Sequence, residues 1–213
     1  MTNATHGERR KVAVLGGGAW GTALAKLLAD KGDDVSLWCR REELADAINR
    51  TRVNERYLPG APLAATLSAT ADMPRALDGA GMIVFVAPSH ATRDVARAAA
   101  AHVANNALIV SATKGIENDS LDFIDQILAA ELPSHTHPRL AFLSGPSFAK
   151  ELAAGLPTAV VIAAKDSATC LDVQHRFHAP HLRTYASDDV VGVECGGALK
   201  NVIAIAAGAA DGL

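Results

Sequence analysis

The chain has 213 residues, of which 49% are hydrophobic, 20% are charged and 4% are aromatic, and its formal net charge is −3. Since domains commonly contain ~100–200 residues, this length allows one large domain, or one domain and the start of another. The near balance of charges argues against a nucleic-acid-binding protein, which usually carries a clustered basic surface.

The chain begins with a polar segment, Met1 to Lys11, that no apolar stretch follows. A secretory signal needs such a stretch, so we expect no signal peptide. The cysteines, Cys39, Cys170 and Cys195, are odd in number and far apart, which favours neither a disulfide framework nor a zinc site. We therefore expect a cytoplasmic protein without a bound metal.

Short β-branched segments alternate with Ala- and Leu-rich segments along most of the chain. That order predicts βαβ units, and therefore an α/β protein with a doubly wound, mostly parallel sheet of the Rossmann type. The predicted strands are Lys11–Leu15, Val35–Cys39, Met82–Val86, Leu108–Ser111, Leu140–Leu143, Ala159–Ala163 and Leu182–Tyr185. The predicted helices, with apolar residues at roughly i, i+3 and i+4, are Trp20–Lys31, Glu42–Arg50, Ala91–Val103, Ser120–Glu131 and Ser167–Phe177.

The end of the chain has a different pattern, an Ala-, Ile- and Val-rich run without early turn signals. We predict a long helix, capped by Asp188 or Asp189, whose small side chains indicate packing on all sides. Its most apolar part, Val202 to Ala210, is about half of the ~20 residues that span a bilayer, so no membrane insertion is expected. Residues 1–187 are predicted to form the Rossmann domain, and residues 188–213 the first helix of an all-α second domain.

The first predicted strand runs directly into a glycine-rich turn that satisfies G-x-G-x-x-G with Gly16, Gly18 and Gly21. Gly16 permits the tight turn, Gly18 lets the backbone approach a pyrophosphate, and Gly21 lets the helix pack closely on the strand. The N-terminus of the following helix offers free N–H groups to the phosphates. The strand, the glycines and the helix together predict a dinucleotide-binding turn.

Cofactor choice depends on the residues after the second predicted strand. NAD-selective sites usually have Asp or Glu there, whereas this chain has Arg40 and Arg41. A guanidinium can pair with the 2′-phosphate of NADP, so we expect NADP to be accepted beside NAD. The alternative is that both arginines are solvated at the start of a helix.

Four further segments follow predicted strands or lie on the long helix, and ligands of open α/β sheets bind beyond the carboxyl ends of strands. They are VAPSH from Val86, ATKGIE from Ala112, SGPSFAKE from Ser144 and ECGGALKNV from Glu194. With the glycine turn, the motifs G-x-G-x-W-G-T-A-L, T-K-G-I-E, G-P-S-F-A and G-A-L-K-N occur in this order. In these motifs the chain resembles the bacterial NAD(P)-dependent glycerol-3-phosphate dehydrogenase family. It departs from the family at Ala19, where Ser is frequent.

The resemblance implies a reversible hydride transfer between NAD(P)H and dihydroxyacetone phosphate, giving sn-glycerol 3-phosphate for phospholipid synthesis. It implies that Lys200 is the catalytic acid, and also a substrate contact. A lysine among Gly, Ala, Leu, Val and Ile is expected to be partly desolvated, which lowers its pKa. The alternative is a lysine that extends to solvent.

The same resemblance implies further contacts for the remaining motif residues. Lys114 is expected to contact both substrate and cofactor. Gly145, Ser147 and Asn201 are expected at the substrate. The backbone of Ala149, together with Ala19 and Trp20 in the glycine turn, is expected at the cofactor, although a tryptophan in a first helical turn could equally belong to the core.

The sequence is also compatible with two other functions. One is a related reductase of the hydroxyacid or ketopantoate type, against which T-K-G-I-E and G-P-S-F-A argue. The other is a non-catalytic dinucleotide-binding fragment. In the family a further helical domain follows and tends to form a homodimer, so we expect the 213-residue chain by itself to bind NADPH but to be nearly inactive.

Overall fold

A computed structural model describes residues 10–212 of the chain. The predicted absence of a signal peptide therefore concerns residues that lie almost entirely outside the described part. The strands are β1 Lys11–Leu15, β2 Asp34–Trp38, β3 Val53–Asn54, β4 Leu58–Pro62, β5 Leu67–Thr70, β6 Met82–Phe85, β7 Leu108–Ser111, β8 Leu140–Ser144, β9 Thr158–Ala163 and β10 Leu182–Ser187. The α-helices are α1 Ala19–Asp30, α2 Glu42–Thr51, α3 Met73–Leu77, α4 Ser89–Ala99, α5 Ile124–Glu131, α6 Ala149–Ala153, α7 Ser167–Phe177 and α8 Val190–Asp211.

Eight of the strands form one sheet in the order β10-β9-β8-β7-β6-β1-β2-β5. All neighbouring pairs are parallel except β8 and β9, which are antiparallel. The central strands β6 and β7 are buried along their whole length, because helices cover both faces of the sheet. The predicted doubly wound, mostly parallel α/β fold is confirmed.

The seven predicted strands and five predicted helices are all present. Lys11–Leu15, Leu108–Ser111 and Ser167–Phe177 have the predicted bounds, and the other elements have shifted ends. The sequence prediction did not include β3, β4, β5, α3 or α6. Strand β4 contains Pro59, Gly60 and Pro62, residues that read as a turn and are tolerated because β4 pairs only with the short β3. The helix expected from Ser120 begins at Ile124, since Leu121 has a positive φ of 59° and therefore lies in a turn.

The last helix, α8, begins as predicted and packs differently. Asp189 is its N-cap, and its carboxylate accepts a hydrogen bond from the Gly192 N–H at 2.8 Å. Val190, Glu194 and Gly197 are buried, whereas every described residue from Leu199 onward is exposed. The prediction of a helix packed on all sides is therefore wrong for this chain, because no described residue covers its second half.

Helix α8 also satisfies, by length and composition alone, the criteria for a membrane-spanning helix, with a mean hydropathy of 1.5 over its most apolar window. Only 17% of that window is buried. Core helices of soluble proteins meet the same criteria, so this property does not decide between the two environments.

Candidate active site

The glycine turn between β1 and α1 forms one wall of a cavity of about 640 Å³. Gly16 has a φ of +138°, and a Cβ there would lie 2.7 Å from the Val86 carbonyl oxygen. A Cβ on Gly21 would overlap the Gly16 carbonyl oxygen, whereas a Cβ on Gly18 would meet only open space. Side chains are thus excluded where the turn and helix meet the sheet, and Gly18 leaves its backbone open to a ligand.

Gly18 is also the N-cap of α1, and it has no side chain that could accept a hydrogen bond from the first N–H groups of the helix. The first turn of α1 contains no acidic residue. These uncapped donors and the positive end of the helix dipole favour an anion at this wall of the cavity. The observed turn therefore fits the pyrophosphate of a dinucleotide.

Asn54 supports the turn from outside, and sequence reasoning did not find it. Its side chain is fully buried and donates hydrogen bonds to the Gly17 carbonyl oxygen at 3.0 Å and to the Thr22 hydroxyl at 2.8 Å. Its Oδ1 accepts a hydrogen bond from the Tyr57 N–H at 3.2 Å. Asn54 lies in a two-residue strand without periodicity, so the sequence offered no signal for this role.

Two arginine side chains also line the cavity. Arg40 and Arg41 follow β2 and both line the cavity. Arg41 donates a hydrogen bond to the Tyr57 hydroxyl at 2.7 Å, and Tyr57 also lines the cavity. Arg40 is exposed. Arg40 and Arg41 thus share the cavity with the glycine turn, and Tyr57 is a cavity residue that the sequence analysis missed.

Lys114 lies between the glycine turn and the start of α6. Its Nζ donates a hydrogen bond to the Gly145 carbonyl oxygen at 2.7 Å and lies 6.0 Å from the ring centroid of Trp20. Burial lowers the pKa of Lys114 to about 8, and the positive charge of Lys200 lowers it as well. The cavity therefore brings two lysines close enough to repel each other, which an anionic ligand would relieve.

The loop that carries Lys114 is fixed by Arg93 of α4. The Arg93 guanidinium donates hydrogen bonds to the Glu117 carboxylate at 2.6–3.1 Å and to the Asp122 carboxylate at 2.9 Å. It also reaches Glu131 of α5 at 3.0 Å. Since Glu117 and Asp122 belong to the loop after β7, Arg93 holds that loop on α4. No sequence signal identified this cluster.

All of the predicted cofactor residues, but only some of the predicted substrate residues, line the cavity. All nine predicted cofactor residues line it, namely Gly16, Gly18, Ala19, Trp20, Gly21, Arg40, Arg41, Lys114 and Ala149. Ser147 and Lys200 line it too. Gly145 is adjacent through its contact with Lys114, and a Cβ there would lie 2.9 Å from the Ala159 carbonyl oxygen.

Lys200 differs from the expectation in one respect. Its side chain is exposed, and its Nζ donates a hydrogen bond to Oδ1 of Asn201 at 2.8 Å. Asn201 is not part of the cavity wall. The expected desolvation of Lys200 is therefore absent among the described residues, because no side chain covers α8 at this point, and the desolvated lysine of the cavity is Lys114.

Comparison with known proteins assigns the chain to a family. A model of the NAD-dependent glycerol-3-phosphate dehydrogenase N-terminus matches residues 11–170, and a model of the C-terminus of the same enzyme matches residues 189–213. The chain belongs to the NAD-dependent glycerol-3-phosphate dehydrogenase family. The helix α8 is thus the beginning of the family's C-terminal part.

Individual relatives agree with this assignment. The glycerol-3-phosphate dehydrogenase (NAD(P)+) of Leptospira biflexa is 49% identical over 203 residues, and that of Anaeromyxobacter dehalogenans is 50% identical over the same length. Each alignment covers 95% of this chain and 61% of the relative. The chain therefore spans about three fifths of the length of these relatives.

Solved structures extend the similarity to the fold. A glycerol-3-phosphate dehydrogenase from Coxiella burnetii superposes with a TM-score of 0.87 at 38% identity, over 96% of this chain and 62% of that one. A ketopantoate reductase from Ralstonia eutropha superposes with a TM-score of 0.62 at 24% identity, over 86% of this chain and 58% of that one. The second similarity is one of fold alone, so it gives the alternative reductase assignment no support beyond the shared architecture.

Proposed function

We propose that the protein is an NAD(P)H-dependent oxidoreductase that reversibly reduces dihydroxyacetone phosphate to sn-glycerol 3-phosphate, in the cytoplasm, as a supply for glycerophospholipid synthesis. One observation carries the proposal: a phosphate-binding glycine turn and two lysines from separate motifs line the same cavity. The name of the relatives, glycerol-3-phosphate dehydrogenase (NAD(P)+), supports this choice of substrate.

Gly16, Gly18 and Gly21, with the first N–H groups of α1, are proposed to hold the pyrophosphate. Arg40 and Arg41 extend toward the adenosine ribose, where a guanidinium pairs with a 2′-phosphate. Ala19, Trp20 and Ala149 complete this side by backbone and ring contacts. The site therefore accepts NADP as well as NAD.

The substrate is proposed to bind between Lys114, Ser147 and Lys200, with Gly145 and Asn201 supporting it. A bound NAD(P)H supplies the hydride for the ketone carbon. Negative charge then develops on the carbonyl oxygen, and the two ammonium groups stabilise it. Lys200 donates the proton to that oxygen, and in the reverse direction it accepts the proton from the alcohol.

The domain assignment is part of the proposal. Residues 1–187 are the nucleotide-binding domain, and residues 188–213 begin a helical domain that binds substrate and forms a homodimer. The exposed apolar side chains Val202, Ile203 and Ile205 of α8 support a further packing partner for this helix, since single exposed hydrophobic residues are common but a contiguous set is not.

The test is to measure NADPH binding and dihydroxyacetone phosphate reduction by the purified chain, with glycerol phosphate identified as the product. We expect NADPH to quench tryptophan fluorescence, because Trp20 and Trp38 line the cavity, and we expect little turnover by the 213-residue chain. Ketopantoate and 2-keto acids serve as controls. Reduction of those substrates in preference to dihydroxyacetone phosphate would favour the alternative reductase, and absence of NADPH binding would exclude both enzymes.

A further inference from the structure

Glu194 is the charged residue on the face of α8 that packs against the nucleotide-binding domain. Val190, Glu194 and Gly197 are the buried residues of the helix and follow each other at i, i+4 and i+7. Glu194 is only 8% exposed. A carboxyl group in an otherwise small and apolar contact stripe costs stability unless it has a specific partner.

Its partner is the N-terminus of α5. Glu194 Oε1 accepts a hydrogen bond from the Asp125 N–H at 3.0 Å. The N-cap of α5 is Phe123, which has no side-chain oxygen, and Gln126 Oε1 accepts the Phe123 N–H at 2.8 Å. The Asp125 N–H, one of the unpaired donors of the first turn, is thus capped by a residue of another helix.

Burial and a neighbouring carboxylate both favour the neutral form of the Glu194 carboxyl group. Burial raises the pKa of the Glu194 carboxyl to about 8, and the neighbouring Asp125 carboxylate raises it as well. Asp125 itself faces Lys165, whose Nζ lies 3.4 Å from Asp125 Oδ2. A neutral side chain that accepts a hydrogen bond is chemically close to glutamine, which provides a conservative substitution.

The hydrogen bond links the elements that carry both lysines. Lys200 lies six residues after Glu194 on α8, and Lys114 lies in the loop that runs into α5. Between them, a Cβ on Gly197 would lie 2.7 Å from the Ser144 hydroxyl and 3.7 Å from Lys114 Cγ, so α8 rests directly against Lys114. A rotation of α8 about its axis would change this contact.

We propose that Glu194 is a positioning residue, which fixes the rotation of α8 on the nucleotide-binding domain and thereby sets the distance between the Lys200 and Lys114 ammonium groups. The inference rests on the proposed function for its significance, since those two groups are proposed to act on one substrate. It needs no substrate for its test, because the proximity of the lysines is visible in the titration of Lys114.

The experiment is a carbon-13 NMR titration of the purified chain after reductive methylation of its lysines, with the Lys114 signal assigned by Lys114→Arg. The wild-type Lys114 is expected to titrate near pH 8. Glu194→Met, which keeps the length but cannot accept the hydrogen bond, is expected to raise the midpoint by about one unit or more, as Lys114 loses burial and the Lys200 charge. Glu194→Gln and Val191→Ala, on the exposed side of the same helix, are expected to keep the wild-type midpoint.

A second pair of variants removes the same hydrogen bond from its donor. Asp125→Pro deletes the N–H, and Asp125→Ala keeps it while removing the carboxylate that pairs with Lys165. Only Asp125→Pro is expected to raise the Lys114 midpoint, and this pair decides the question if Glu194→Met fails to fold, as judged by loss of its helical circular dichroism signal.

An unchanged midpoint in folded Glu194→Met or in Asp125→Pro would overturn the proposal, and so would a raised midpoint in Glu194→Gln. A purely structural role would lower the melting temperature without moving the titration. A shifted titration in a chain that does not bind NADPH would leave the positioning role intact and defeat the proposed function, whereas an unshifted titration in a chain that binds NADPH would defeat the positioning role alone.

Discussion

The glycine turn and helix α8 form two walls of one cavity, but the chain supports them very differently. The turn is held by the sheet, by the close approach of Gly21 to Gly16 and by the buried Asn54. Among the described residues, helix α8 is buried only at Val190, Glu194 and Gly197, and Lys200 is exposed. The glycine turn is therefore supported from several sides, whereas the position of Lys200 depends on one short contact of α8. Variants of the two walls should affect binding and turnover separately.

The largest difference between the effect on turnover and the effect on NADPH binding is expected for Lys200→Ala, in protein that turns over dihydroxyacetone phosphate. Removal of a positioned general acid usually lowers the rate by ~10²–10⁴-fold. NADPH affinity should barely change, since the phosphates are assigned to the glycine turn. The measurements are kcat and an NADPH titration of the same protein. Lys200→Arg, which keeps the charge but holds its proton too tightly to donate it, is the matched control and should also be slow. Near-normal turnover in Lys200→Ala would remove Lys200 from the mechanism.

Lys114 lies near both Trp20 of the glycine turn and Gly197 of α8, so its removal should affect both cofactor binding and turnover. Lys114→Met removes a charge-assisted contact of ~1.5–3 kcal/mol, so kcat should fall and KM should rise. Because burial lowers the Lys114 pKa to about 8, the ammonium is present below that pH and lost above it. Wild-type NADPH affinity should therefore fall as the pH rises through about 8, and the fall should be absent in Lys114→Met. The exposed Lys150 of α6 provides the control, Lys150→Met, which should keep the wild-type pH profile.

Asn54 tests whether the turn owes its shape to a buried side chain. Asn54→Leu leaves the Gly17 carbonyl and the Thr22 hydroxyl without the side-chain amide that donates to them, at a cost of ~1–3 kcal/mol in the free energy of unfolding. Asn49, an exposed residue, is the control, because its side chain also makes hydrogen bonds to backbone, at 2.8 Å to Ala69 and away from the cavity. Both Leu variants should be destabilised in denaturant titrations, and only Asn54→Leu should also bind NADPH more weakly. Equal NADPH affinities would show that the turn keeps its shape without Asn54.

The smallest effect is expected at Arg40, which is exposed and therefore screened by solvent. Arg40→Asp should weaken NADPH binding more than NADH binding, by less than the ~1.5–3 kcal/mol of a desolvated contact with the 2′-phosphate, because solvent screens the guanidinium. Paired titrations with the two cofactors measure the difference, and Arg50→Asp at the exposed end of α2 is the control. Equal losses for NADPH and NADH would place the Arg40 side chain away from the ribose.

Periodicity and glycine spacing determined much of this protein without a structure. The order of β-branched and helical segments predicted the doubly wound fold, and the motif G-x-G-x-x-G after a strand predicted the turn, because both depend on local backbone requirements. The same reasoning placed Asp188 or Asp189 at the start of α8, and the structure shows that Asp189 is the N-cap. It did not find β4, whose prolines and glycine read as a turn until a partner strand pairs with them.

The tertiary structure decided which side chains meet. Arg93 with Glu117, Asn54 with Gly17, and Glu194 with the Asp125 N–H are separated by 24, 37 and 69 residues, so no local pattern contains them. It also decided that Lys114 rather than Lys200 is the desolvated lysine. The composition of α8 predicted burial, but burial depends on what packs against a helix, and that is fixed by the neighbouring elements rather than by the helix's own sequence.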